Sequence, residues 1–108
     1  MGERIRKINE QIQRELGGFL AHERSSNKVF VTVTAVETTS DLRLATVWCS
    51  VIGLKAEEAT KLLESERHDA QKYINSRLTM KYIPKLELRL DHGGEYAAHI
   101  SEVIRGAL

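Results

Sequence analysis

The sequence predicts an α+β fold: a three-stranded sheet with helices packed on one face. Three patterns predict it. Residues 3–23 carry apolar side chains at helical spacing, residues 29–52 form two runs rich in β-branched side chains, and residues 78–90 alternate apolar and polar. Helices gathered on one side of a sheet bury both apolar surfaces at once, which is the α+β solution. A chain of 108 residues buries one modest core, so residues 1–108 are expected to form a single, monomeric domain.

In the first segment Ile5, Ile8, Ile12, Leu16, Phe19 and Leu20 recur at steps of three and four, with Arg4, Lys7 and Arg14 on the opposite face. Gly17 and Gly18 each cost about 1 kcal/mol relative to Ala inside a helix, and are expected to fray or bend its second half. Ser25–Lys28 reads as a polar loop. Residues 29–37 and 42–52 then read as strands joined by the short Thr38–Asp41 connection, an antiparallel hairpin. Trp48 is expected to pack on the sheet.

After Gly53 the pattern turns helical. Ala59, Leu62 and Leu63 make one apolar face and Ala70, Tyr73 and Ile74 another. The six residues Glu64–Asp69 between them are all polar, whereas a straight helix needs an apolar residue near position 66 or 67 to keep its stripe. The pattern therefore predicts two short helices meeting at a kink there. Leu78, Met80, Tyr82, Leu86, Leu88 and Leu90 hold even positions and predict a long last strand, with an edge or bulge at Pro84. The sheet is expected to be antiparallel. Gly93-Gly94 break the chain, and Ala97, Ile100 and Ile104 suggest a short C-terminal helix.

The net charge of +1 is unevenly spread. Between 67 and 89 lie Arg67, Lys72, Arg77, Lys81, Lys85 and Arg89 against only Asp69 and Glu87, whereas residues 37–66 carry six acids against Arg43, Lys55 and Lys61. One basic face turned to a polyanion accounts for such asymmetry, and so does a solvated surface of mixed sign.

Little points to catalysis. His22, His68, His92 and His99 have no zinc-ligand spacing, Cys49 sits among apolar neighbours in a strand, and no Gly-rich phosphate loop is present. The reading is of a protein that is not an enzyme, with no catalytic residue, metal, cofactor or small-molecule substrate. No apolar run reaches membrane-spanning length, and a single cysteine fits a reducing cytoplasm.

The hairpin 31–51 resembles the signature of the ribosome-binding factor A family, through Val31, Thr32, Val33, Thr34, Val36, Ser40, Asp41, Leu42, Ala45, Val47, Trp48 and Ser50. The stretch Leu78–Leu86 is similar to that family's basic strand ending in V-P-x-L, and Ile8–Leu16 fits its first helix. The resemblance implies a type II KH-like domain. It also implies a cytoplasmic factor that binds the small ribosomal subunit and its rRNA, promotes late maturation and matters in the cold. The family's A-x-G kink falls on Glu66, Arg67 and His68, where both small residues are missing. The residues expected to contact RNA phosphates are Arg67 and Lys72 around that kink, Arg77, and Lys81, Lys85 and Arg89 along the last strand. Arg4, Lys7 and Arg14 extend the footprint along the first helix. A KH-like binder of another RNA and a protein-interaction module are the alternatives.

Overall fold

The computed structural model describes residues 2–24 and 29–91. Helix α1 spans Glu3–Arg24, strands β1 and β2 span Phe30–Thr38 and Leu44–Ile52, helix α2 spans Ala56–Arg77, and strand β3 spans Lys85–Leu90. The α+β arrangement is the expected one, with strand order β1-β2-β3. The expected loop at 25–28 and the C-terminal helix lie outside the described residues.

Burial follows the two periodicities. α1 lies against β1 and also touches α2, which lies against β3. Ile8, Ile12, Leu16 and Leu20 of α1 meet Leu63, Ala70 and Ile74 of α2 over Val31, Val33, Val36, Val47, Cys49, Leu86 and Leu88 of the sheet. Gly17 and Gly18 do not interrupt α1. They lie in helix flanked by Leu16 and Leu20, both fully buried, and tertiary packing of that face outweighs their poor propensity. Burial also pushes the Cys49 thiol up to about 12, because low-dielectric surroundings disfavour the thiolate.

Three expectations are corrected. The first concerns the sheet: β1 and β2 pair antiparallel, with Phe30 opposite Ile52 and Thr38 opposite Ala45, but β2 and β3 pair parallel, Leu44 opposite Lys85. A helix between two neighbouring strands carries the chain back to its starting end, and this crossover forces parallel pairing. The second concerns the last strand, which begins only at Lys85. Residues 78–84 form no strand, and Tyr82, expected on the apolar side, is 76% exposed. Pro84 lacks the N–H that a ladder needs, and pairing starts immediately after it.

The third correction is the kink. α2 is one unbroken helix from Ala56 to Arg77. The place in its stripe that lacked an apolar residue is taken by Glu66 itself, only 5% exposed, so that Ala59, Leu63, Glu66, Ala70 and Ile74 form one buried row. Its polar neighbours Glu64, Ser65, His68 and Asp69 point to solvent. At the helix start Glu58 accepts a hydrogen bond from the Lys55 backbone N–H at 3.4 Å, satisfying a donor that the helix leaves open. Acidic Glu57 and Glu58 in the first turn and Arg77 in the last also complement the helix dipole.

The hairpin carries a register shift between Val33 and Ala35. This bulge moves Val36 and Thr38 to the covered side and leaves Ala35 opposite Trp48. Trp48 is half-buried on the sheet as expected, its indole N–H donating to Glu37 Oε1 at 3.2 Å.

Candidate nucleic-acid interface

Four structural pieces meet at one end of the molecule: the first turn of α1, the turn between β1 and β2, the segment after α2, and the start of β3. They enclose a cleft of about 500 Å³ lined by Arg4, Asp41, Leu42, Arg43, Lys81, Tyr82 and Lys85, with Met80 and Ile83. The helices run antiparallel, since Glu15 accepts from the Tyr73 hydroxyl at 3.3 Å while Phe19 stacks on the Tyr73 ring at 4.6 Å and Glu15 also faces Arg77. This brings the C-terminal end of α2 beside the middle of α1 at Glu15, and the segment that follows α2 then reaches Arg4 at the start of α1 in the cleft.

Backbone and side-chain hydrogen bonds hold the cleft walls. The Lys85 N–H donates to the Arg43 carbonyl at 2.9 Å, which ties the start of β3 to the β1–β2 turn, and both cations line the cleft. Gln71 of α2 accepts from the Leu86 N–H at 2.7 Å and donates to the Pro84 carbonyl at 3.1 Å. One amide side chain thus fixes both the end of the 78–84 segment and the outer edge of β3. In the turn, Asp41 accepts from the Thr39 hydroxyl at 2.7 Å and from the Arg43 N–H at 3.2 Å. These bonds, the hydroxyl's first, hold its carboxyl below the usual carboxylate range. Leu42 adopts a φ of 62°, a left-handed conformation costing a non-glycine residue about 1–2 kcal/mol. Its side chain packs against the core cluster.

Of the cations expected to contact RNA, the structure brings together Arg4, Lys81 and Lys85 in this cleft. Lys7 and Arg14 continue from Arg4 along an exposed face of α1 within an arc of about 80°. Arg77 lies over the Tyr73 ring, its guanidinium carbon 4.9 Å from the centroid, and pairs with Glu15 at 3.8 Å. Lys72 flanks the same Tyr73 and Phe19. Arg67 is separated from these: it is turned about 140° around α2 from Lys72, towards a groove with Trp48, Glu87 and Arg89. Arg89 pairs with Glu87. Arg67, Lys72 and Lys81 therefore do not form one patch.

The sequence reading missed Arg43 and Tyr82. Arg43 stood in an acidic stretch and gained its neighbours only through the parallel pairing that sets Leu44 opposite Lys85 and ties the Lys85 N–H to the Arg43 carbonyl. Tyr82 fitted the apolar half of an alternating run. The signal that distinguishes it is position: Lys81-Tyr82 directly precedes Ile83-Pro84, before strand pairing begins. Among the described residues no three His, Cys, Asp or Glu side chains are grouped to hold a metal, and no helix is long and apolar enough to cross a membrane.

The profile of ribosome-binding factor A matches residues 4–104. The chain belongs to the ribosome-binding factor A family. It is 35% identical to the ribosome-binding factor A of Opitutus terrae over 106 residues, covering 96% of this chain and 87% of that one. It is also 35% identical to that of Roseiflexus castenholzii over 113 residues, covering 99% and 85%. The fold matches the crystal structure of ribosome-binding factor A from Thermus thermophilus, with a TM-score of 0.66 at 19% identity, over 80% of this chain and 94% of that one. A Thermus thermophilus homology model fitted into the cryo-EM map of a 30S complex of that factor matches with a TM-score of 0.63 at 21% identity, over 75% and 88%.

Proposed function

We propose that this protein binds the small ribosomal subunit through its rRNA and promotes late maturation of that subunit, with the strongest requirement in the cold. Membership of the ribosome-binding factor A family supports the partner. The observation that carries the reading is the convergence of Arg4, Arg43, Lys81 and Lys85 on one cleft against a single acid, Asp41. Phosphate oxygens are the natural counterpart of such a set, and each contact releases counterions from the RNA. The domain acts in this reading as a cytoplasmic KH-like monomer, with no catalysis, cofactor or small-molecule substrate. Arg77, Lys72 and the Arg4–Lys7–Arg14 face widen the basic surface. Arg67 and Arg89 form a separate flank.

The test is sedimentation of the purified chain with small subunits over a range of salt. Binding should fall steeply with salt, and the Arg43→Ala/Lys81→Ala/Lys85→Ala variant should lower the log–log slope by about 0.7–0.9 for each cation that no longer neutralises a phosphate. A variant that binds subunits with unchanged affinity and slope would sink the assignment of this end of the molecule. A deletion strain with a normal subunit profile at low temperature would sink the role in maturation.

A further inference from the structure

We infer that the cleft at the start of β3 is a stacking site for one unpaired base of single-stranded RNA, with Tyr82 as the platform and Arg4, Arg43, Lys81 and Lys85 on the flanking phosphates. The inference rests on the reading that RNA is the partner, and goes beyond it by naming the form of RNA and the side chain that receives the base.

Tyr82 is the most exposed large apolar side chain among the described residues, at 76%, although Met80 and Ile83 beside it pack inward on the core. The Lys81 ammonium lies 5.5 Å from its ring centroid, so a cation and an aromatic face are presented together. This pairing characterises surfaces that take unstacked bases, because every base has a π-face and every linkage a negative charge. The volume of about 500 Å³ falls in the range of small-ligand clefts, about 300–1,000 Å³. Leu42, Met80 and Ile83 supply an apolar lining that a bare anion does not need. The geometry is fixed in advance by the Lys85-to-Arg43 backbone bond and by the Gln71 clamp. Asp41 stays ionised, held by the Thr39 hydroxyl and the Arg43 N–H and lying 3.9 Å from the Arg43 guanidinium. It offsets part of that one charge, while Arg4, Lys81 and Lys85 keep the cleft net positive. Leu42 holds a costly left-handed backbone in the same wall, and strain of that kind collects where a binding surface must keep one shape.

Duplex RNA does not offer this cleft a free base, so single-stranded segments are the class it selects. The experiment is fluorescence anisotropy of a labelled hexauridylate with the full chain and with Tyr82→Ala, Tyr82→Phe and Arg43→Ala/Lys85→Ala. Inorganic phosphate and uridine monophosphate serve as competitors. Tyr82→Ala should weaken binding by about 5- to 150-fold, with unfolding by urea unchanged. Tyr82→Phe should bind like the parent, since the ring is retained, and Arg43→Ala/Lys85→Ala should weaken binding and flatten its salt dependence. Uridine monophosphate should compete better than phosphate. No binding by the parent, equal binding by Tyr82→Ala, or competition by phosphate equal to that of the mononucleotide would each overturn the stacking site. Sedimentation with small subunits separates this result from the broader reading. Normal sedimentation with no Tyr82 effect on the oligonucleotide removes the stacking site alone. Tyr82-dependent oligonucleotide binding by a chain that ignores small subunits removes the proposed partner and keeps the site.

Discussion

Lys85 and Leu86 are consecutive residues of β3, yet they belong to two regions organised differently. Leu86 is sealed between sheet and helices with Ile12, Leu16, Leu63 and Ile74, whereas Lys85 stands in solvent beside Arg43, Lys81 and Tyr82. The covered layer draws its residues from regular repeats within each element. The cleft draws its residues from places where elements stop, and Gln71 and the Arg43 carbonyl hold those ends together through hydrogen bonds. Stability should therefore concentrate in the first region and binding in the second.

The sharpest way to test that division is Leu86→Ala. It removes a fully buried side chain and should cost about 2–5 kcal/mol in urea unfolding. Gln71→Leu comes next. It strips two hydrogen bonds from the β3 edge and should cost about 1–3 kcal/mol, while also lowering affinity for small subunits because the 78–85 segment loses its anchor. A stability loss without a binding loss would break the link between clamp and cleft. Thr39→Ala should cost about 1 kcal/mol, since its hydroxyl serves both Asp41 and the Leu44 N–H. The same variant should raise the Asp41 pKa towards the ordinary range in an NMR titration. A depressed folded pKa contributes stability above the unfolded pKa that is lost as pH falls through the folded one, so the acid-side loss due to Asp41 should shrink in Thr39→Ala. At the small end, Lys81→Ala and Lys85→Ala should each change stability by no more than about 0.5 kcal/mol while weakening binding. A larger stability effect would mean that these cations serve the fold.

The covered layer was legible in the sequence because period and burial coincide, as in Ile8, Ile12, Leu16 and Leu20. Glu66 was the exception. Hydropathy reads a carboxylate as solvent-facing, so the gap in the stripe suggested two helices where a polar side chain occupies a core position. Hydrogen exchange across residues 64–70 should show protection without a break, as one helix requires. Parallel pairing was also within reach, since strand, helix and adjacent strand in that order imply it. The cleft was legible only in part. Arg4, Lys81 and Lys85 stood out by charge, but nothing local to Arg43 or Tyr82 says which distant residues they will meet.

The parallel pairing of β2 with β3 also bears on when the cleft comes into being. The hairpin contacts of β1 and β2 are local, but joining Leu44 to Lys85 closes a loop of about forty residues, whose entropy must be overcome before the contact returns anything. A chain that has formed only α1 and the hairpin carries Arg4 and Arg43 without Lys81, Tyr82 or Lys85 in place. Two isolated cations on an unfinished protein bind any polyanion weakly, and the complete set exists only after β3 has docked. The crossover thus sets an order in time: the cleft proposed to bind RNA is completed only together with the fold, so a chain that has not yet docked β3 should hold RNA weakly.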